Sequence, residues 1–186
     1  GNYTLTQPTG LSGTINKAVL TVTADNKNIT YGDLIPTLTA TITGYVNSES
    51  SSVLGGAASI TTGAVRYSDV GSYTITPTVG TLTANNYSFS YATGSLAVAQ
   101  KALTVTGSSV TTKTYDGTTA ATITGGTLVG VVNSDAVSLT QAGTFASANY
   151  SASAISVTAS DSLSGAKAGN YTLTQPTGLS GTINKA

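Results

Sequence analysis

The sequence predicts an all-β protein, and three observations predict it. Apolar and hydroxyl side chains alternate with period two, so that Leu38, Ala40 and Ile42 interleave with Thr37, Thr39, Thr41 and Thr43. That pattern gives a strand one apolar and one hydroxylated face. Clusters of Gly, Asn, Asp and Ser interrupt these runs at intervals of about 8–12 residues, the spacing of short strands joined by turns. Thr, Val, Ile and Tyr, which fit a pleated, half-buried surface, are abundant. The architecture expected is two tandem small antiparallel β-sandwich domains, Ig-like and arranged end to end, because fully buried parallel strands would show continuous apolar runs.

The elements follow in order. Residues 19–23 and 102–106 carry the same Leu-Thr-Val-Thr core and open two similar units as strands. Each is followed by a polar turn and then by Tyr31-Gly32-Asp33 or Tyr115-Asp116-Gly117, read as a strand ending in an inward Tyr and a turn. The alternating stretch 37–43 is a strand. Residues 47–54 are the best helix candidate, with Ser48 as cap and Gly55-Gly56 as terminator, although Ser-rich segments form helices poorly. A helix there would favour β-grasp-like units as the alternative fold. Tyr87, Phe89 and Tyr91 alternate with Ser88 and Ser90, and Ile155 and Val157 with Ser156 and Thr158. A last strand ends near Val98 or Ile183.

Internal repetition sets the organisation. Residues 1–18 and 169–186 are identical, GNYTLTQPTGLSGTINKA, at an offset of 168. Half that offset recurs: Asn2-Tyr3, Asn86-Tyr87 and Asn170-Tyr171 are 84 apart, as are Tyr31 and Tyr115, and Lys17, Lys101 and Lys185. The reading is a tail of a preceding unit at 1–18, one domain at 19–101 and a second at 102–186. A perfect repeat beside a divergent one implies a longer chain alternating two domain types. Without a Pro-rich or Gly/Ser-rich spacer at residues 101 and 102, the domains should form a semi-rigid tandem.

Composition excludes several functions. Cys, His, Met and Trp are absent, so no disulfide framework, zinc finger, haem ligation or His-based triad can be assembled. The missing Met also reads as a chain that begins inside a longer one. Seven basic residues, of which only Arg66 is Arg, balance seven acidic ones, leaving no electrostatic footprint for nucleic acid or an anionic membrane. No run of about 20 apolar residues is present, so no membrane insertion is expected.

Each unit carries a family resemblance. The first unit, from LTVTADNKNITYGD at 20–33 through VGSYTITP at 70–77 to NNYSFSYATGSLAV at 85–98, resembles the MBG ("mostly beta, glycine-rich") domain. The second, with KTYDGTT at 113–119, LVGVVNSDAVSL at 128–139 and AGNYTLTQPTGLSGTI at 168–183, is similar to the YDG domain, and residues 1–18 look like the end of an earlier one. The resemblance implies tandem arrays in very large adhesins of bacteria, often filamentous-haemagglutinin-like: extracellular, at the cell surface, and serving as a stalk. It implies no catalytic, cofactor-binding or metal-ligating residue.

Reading the residues themselves leads the same way. Asp25, Asp33, Asp69, Asp116, Asp135 and Asp161 are scattered singly and form no calcium-loop motif, which leaves calcium only at a domain junction. Glu49 is the one Glu, so paired carboxylates for glycoside hydrolysis are not expected. No Ser or Thr has an evident activating base, and the protein is not expected to be an enzyme. Lys17, Lys101 and Lys185 near strand ends raise an intramolecular Lys–Asn isopeptide bond, which needs a buried acid beside the pair. The asparagines of the Asn-Tyr pairs read as turn residues before the first core Tyr of a strand.

The function expected is a structural stalk or spacer whose partners are neighbouring repeats of the same chain. The competing functions are direct binding of a glycan or of ice through Thr-x-Thr faces, and homotypic or biofilm adhesion through strand edges that few charges guard. Host-surface contacts would belong to other domains. Ice binding is disfavoured by the twist that small sheets adopt.

Overall fold

A computed structural model describes residues 1–186, and the chain is all-β. The first repeat supplies β1 (Ala18–Ala24), β2 (Lys27–Thr30), β3 (Ala40–Thr43), β4 (Ser59–Thr62), β5 (Gly71–Thr78), β6 (Tyr87–Ala92) and β7 (Gly94–Ala99). The second begins with β8 (Lys101–Thr106), β9 (Ser109–Val110), β10 (Lys113–Thr114), β11 (Ala120–Ala121), β12 (Ile123–Thr124) and β13 (Thr127–Val129). It continues with β14 (Ser138–Thr140), β15 (Gly143–Phe145), β16 (Ser151–Ala159), β17 (Ser162–Ser164), β18 (Tyr171–Thr174) and β19 (Ser180–Asn184).

Two compact units are present. One comprises Gly1–Asp25, Leu38–Thr62 and Thr74–Gly94; the other comprises Asn26–Thr37, Gly63–Tyr73 and Ser95–Ala186. The second unit therefore contains three segments of the first repeat together with the whole of the second.

In the first unit β1 lies between β3, antiparallel, and β6, parallel. Its alternate side chains Leu20, Val22 and Ala24 are buried, as are Ile75 of β5 and Tyr87 of β6. Residues 59–62 of β4 pair antiparallel with 75–78 of β5. Gly56, with φ of 69°, lets the chain pass so close that a Cβ there would lie 2.0 Å from the Thr81 carbonyl oxygen. Only Gly tolerates both conditions.

In the second unit β8 repeats the arrangement of β1, flanked by β13 antiparallel and β18 parallel. The register is also repeated: Leu20 faces Phe89 and Val22 faces Ile42, while Leu103 faces Leu173 and Val105 faces Leu128. A five-stranded sheet runs β10-β19-β16-β15-β11, with β10 and β19 parallel. β2 and β7 pair in parallel in the same unit. One core gathers Ala121, Ile123, Phe145, Val157, Ala159 and Ile183, and another Tyr31, Val98, Leu103 and Tyr171.

The sheets are thus mixed, whereas the alternation suggests antiparallel pairing throughout. Period-two patterning reports a single buried face and is blind to strand direction. Parallel neighbours need only a long connection, which the intervening strands provide. Residues 47–54 are not a helix apart from a three-residue 3₁₀ turn at Ser51–Val53. Asn47 and Ser48 have φ of 55° and 58°, in the left-handed region, and form a tight turn instead. The condition that favoured a β-grasp-like unit is therefore not met.

Residues 1–17 form no strand, and Tyr3 and Ile15 are 98% and 99% exposed. The identical sequence at 169–185 forms β18 and β19, with Tyr171 3% and Ile183 0% exposed. What differs is the presence of β8, β10 and β16 as pairing partners.

Candidate functional site

Each repeat contains the same hydrogen-bonded clasp. In the second, Val132-Asn133-Ser134-Asp135 is a turn with φ of 55° and 52° at its two central residues, closed by the Asp135 N–H on the Val132 carbonyl at 3.0 Å. Two successive positive φ values and that bond are the features of a type I′ turn. The Tyr171 hydroxyl, brought over the turn by β18, accepts from the Val132 N–H at 3.2 Å and donates to Asp135 Oδ2 at 2.7 Å. In the first repeat Val46-Asn47-Ser48-Glu49 makes the same turn. There the Tyr87 hydroxyl accepts from the Val46 N–H at 3.1 Å and donates to Glu49 Oε2.

The second clasp carries a further residue. Tyr31, fully buried, donates its hydroxyl to Asp135 Oδ2 at 2.8 Å. Its ring meets that of Tyr171 edge-on, with centroids 5.4 Å apart at 79°, and that of Tyr67 at 6.4 Å and 63°. Edge-to-face contacts of this kind add about 0.5–1.5 kcal/mol beyond area burial. Gly32 then passes close to Val132: a Cβ on it would lie 3.0 Å from a Val132 methyl. The Gly32 carbonyl accepts from Arg66 Nε at 2.9 Å, and the Arg66 guanidinium lies over the Tyr67 ring at 4.8 Å.

A polar rim surrounds this aromatic centre. Asn170, buried, accepts from the Val70 N–H at 2.9 Å and donates to Asp69 Oδ1 at 2.7 Å. Lys167 pairs with the same Asp69 oxygen at 2.6 Å. Gln100 donates to the carbonyls of Gly169 and Tyr171 at 2.9 and 3.2 Å. The site therefore joins Tyr31, Asp69, Val70 and Gln100 of the first repeat to Asp135, Lys167, Asn170 and Tyr171 of the second, all inside one compact unit.

The electrostatics follow from this packing. Burial raises the Tyr31 hydroxyl pKa far above the usual tyrosine range, and the Asp135 carboxylate raises it further. Tyr171 moves the same way, through burial and Asp135. Lys167, and then Asn170, hold Asp69 below the usual carboxylate range. Tyr87 is raised chiefly by its bond to Glu49.

The residues singled out in the sequence fall into three groups. Tyr31 is inward as expected, but its counterpart Tyr115 is 46% exposed. The Tyr115-Asp116-Gly117 turn is otherwise as read: Gly117 has φ of 77°, and Asp116 Oδ1 accepts from the Thr118 N–H at 2.9 Å. Lys113 pairs with Asp116 at 2.7 Å and, with the Thr118 bonds, lowers its pKa to about 2. The acids are used one at a time: Asp33 on the Thr30 N–H, Asp25 on Thr39 and Thr41, Asp161 on the Ala142 N–H. No three acidic residues come together. Lys17 and Lys185 are exposed; the first donates to the Ala84 carbonyl and the second lies over the Tyr150 ring. Neither of these contacts provides the buried acid that isopeptide formation needs; the third lysine, Lys101, is half-buried as the first residue of β8.

Sequence reasoning missed the acids of the two clasps. The signal was there as Gly44-Tyr-Val-Asn-Ser-Glu49 and Gly130-Val-Val-Asn-Ser-Asp135, but at an offset of 86 rather than 84.

Repeated registers, repeated clasps and a contact that locks one repeat into the next define an all-β tandem-repeat protein. Residues 20–97 match the family model of the MBG domain (YGX type) and residues 99–178 that of the YDG domain, so the chain belongs to the proteins that carry MBG and YDG domains in tandem. No curated protein and no solved structure matches the chain.

Proposed function

We propose that this chain is a spacer segment of a large bacterial surface adhesin, extracellular and non-enzymatic, whose repeats hold a separate adhesive domain away from the cell. The observation that carries this reading is the Tyr31–Asp135–Tyr171 contact, in which side chains of successive domains share one core. A spacer needs links that resist bending relative to one another, and a buried aromatic centre with a hydrogen-bonded rim meets that need better than a flexible tether does. Each acidic residue accepts one or more hydrogen bonds from within the chain, and the reading invokes no metal.

The experiment is deletion of one 168-residue period from the parent adhesin. Cells should remain able to display the distal domain, and the soluble adhesin should bind its receptor unchanged. Adhesion of whole cells should fall as the reach shortens. Loss of receptor binding by the soluble, folded deletion protein would overturn the spacer reading in favour of direct binding by these domains.

A further inference from the structure

We infer that Tyr115 is a docking residue for the next MBG domain, where it occupies the pocket beside Glu49 of a second copy of this chain joined head to tail. The inference rests on reading the domains as links of an array.

The contact made by Tyr31 has both of its halves duplicated elsewhere in the chain: Tyr115 is exposed, and beside Glu49 lies an open pocket whose Tyr87 is buried and meets the Tyr45 ring edge-on, at 6.1 Å and 72°. Tyr115 follows β10 as Tyr31 follows β2, and both precede a turn with a positive-φ Gly. Tyr31 is 0% exposed because Asp135 and Tyr171 receive it, whereas Tyr115 is 46% exposed. On the receiving side, Tyr87 and Glu49 reproduce Tyr171 and Asp135 bond for bond.

Ile42, Tyr45 and Glu49 are half-buried like their counterparts Leu128, Val131 and Asp135, but two neighbours of Glu49 are exposed where those of Asp135 are covered. Val46, the counterpart of Val132, is 53% exposed, while Val132 is half-buried against Gly32. Asn86 is exposed, while Asn170 is 5% exposed beneath Val70 and Asp69. An open pocket of about 450 Å³ is lined by Ile42, Tyr45, Glu49 and Ser51. These are the counterparts of Leu128, Val131, Asp135 and Val137, of which the three apolar residues pack against the Tyr31 core. A carboxylate oxygen that accepts two phenols in one domain has capacity for a second phenol in the other. The shared 18-residue sequence fixes how copies connect, because residues 169–186 of one copy can serve as residues 1–18 of the next without any added linker.

The test is a doubled protein, residues 1–168 followed by 1–186, with tyrosine accessibility read by nitration and peptide mapping. Tyr115→Phe is introduced in one copy at a time so that the remaining Tyr115 is unambiguous. In the single chain Tyr115 should react freely. With Phe in the trailing copy, the leading Tyr115 should react roughly tenfold more slowly, the factor given by a contact formed about nine-tenths of the time. With Phe in the leading copy, the trailing Tyr115 should react as in the single chain. Glu49→Gln in the trailing copy should restore much of the leading Tyr115's reactivity, and the same change in the leading copy should not. Equal reactivity of Tyr115 in both positions would overturn the inference. If Tyr115 stays reactive while the period deletion still shortens reach, docking fails and the spacer reading stands; a protected Tyr115 with unaltered cell adhesion has the opposite meaning.

Discussion

Tyr31 and Tyr171 donate to the same oxygen, Asp135 Oδ2, at 2.8 and 2.7 Å, while their rings meet edge-on. Each phenol thus satisfies its own polar group by a bond to one carboxylate while contributing apolar area to one core. The carboxylate belongs to a turn that the Tyr171 hydroxyl also holds through the Val132 N–H. Removing the acid therefore exposes two defects at once, whereas removing one hydroxyl exposes one.

Asp135→Ala should destabilise the second unit by about 3 kcal/mol, since it leaves two buried phenol donors without their acceptor, and Tyr31→Phe by about 1–2 kcal/mol. Urea unfolding read by tyrosine fluorescence measures both. Equal midpoints for wild type and Asp135→Ala would show that the shared acceptor contributes nothing.

Stability should fall as pH rises above about 10, the tyrosine value in an unfolded chain. The folded pKa values of Tyr31, Tyr171 and Tyr87 are raised, so the folded protein keeps protons that the unfolded chain releases. The stabilisation from these phenols is complete below the unfolded value and is lost on the alkaline side. At the acid end the sign reverses. Asp116, held to about 2, contributes above the unfolded aspartate value near 3.8 and loses that contribution as pH falls toward 2. Its exposure keeps that contribution small. Thermal melts from pH 8 to 12 should stay level to about pH 10 and decline beyond it, with a smaller decline in Tyr31→Phe.

Ser134→Gly should stabilise by about 0.5–1 kcal/mol, because Ser134 bears a left-handed φ of 52° that Gly adopts without steric cost. The same change at Ser48, with φ of 58°, should act alike. A loss of stability in both variants would mean that the serine side chains matter more than the backbone conformation. Chemical denaturation midpoints are sufficient to decide.

Asn170→Ala should cost about 2 kcal/mol, since Asn170 is buried and serves both the Val70 N–H and Asp69. Asp69→Ala should cost less, because its pairing with Lys167 is largely exposed. Hydrogen exchange at the Val70 amide should accelerate in Asn170→Ala; unchanged protection there would argue that another group serves that amide.

Side-chain alternation makes the strands legible in the sequence, because it fixes which face is buried. Thr39, Thr41 and Thr43 are exposed opposite half-buried Ala40 and Ile42, and Val157 is buried between exposed Ser156 and Thr158. Alternation carries no strand direction, which hid the parallel pairing of β1 with β6 and β8 with β18. The clasps were hidden for another reason. Their turns combine two local residues at positive φ with a tyrosine about 40 positions downstream, and Ser-Glu-Ser-Ser at 48–51 reads equally well as the start of a helix. Tyr115 shows a limit of local pattern: Thr114-Tyr115 repeats Thr30-Tyr31 ahead of a turn of Gly and Asp, yet Tyr115 is 46% exposed where Tyr31 is 0%, because burial is set by what packs on the residue from far along the chain.

The parallel pairing of each repeat's first strand has a mechanical consequence. Pulling on the chain ahead of Lys101 and beyond Thr174 drags β8 and β18 in opposite directions along their shared axis. The four register pairs from Lys101–Tyr171 to Thr104–Thr174 are then loaded side by side, in shear. Antiparallel strands joined by a hairpin and pulled at their free ends would open bond by bond, like a zip. β1 and β6 hold six such pairs in the same geometry. Under tension each repeat thus resists through a whole ladder at once, and its rupture force scales with the number of rungs that must yield together.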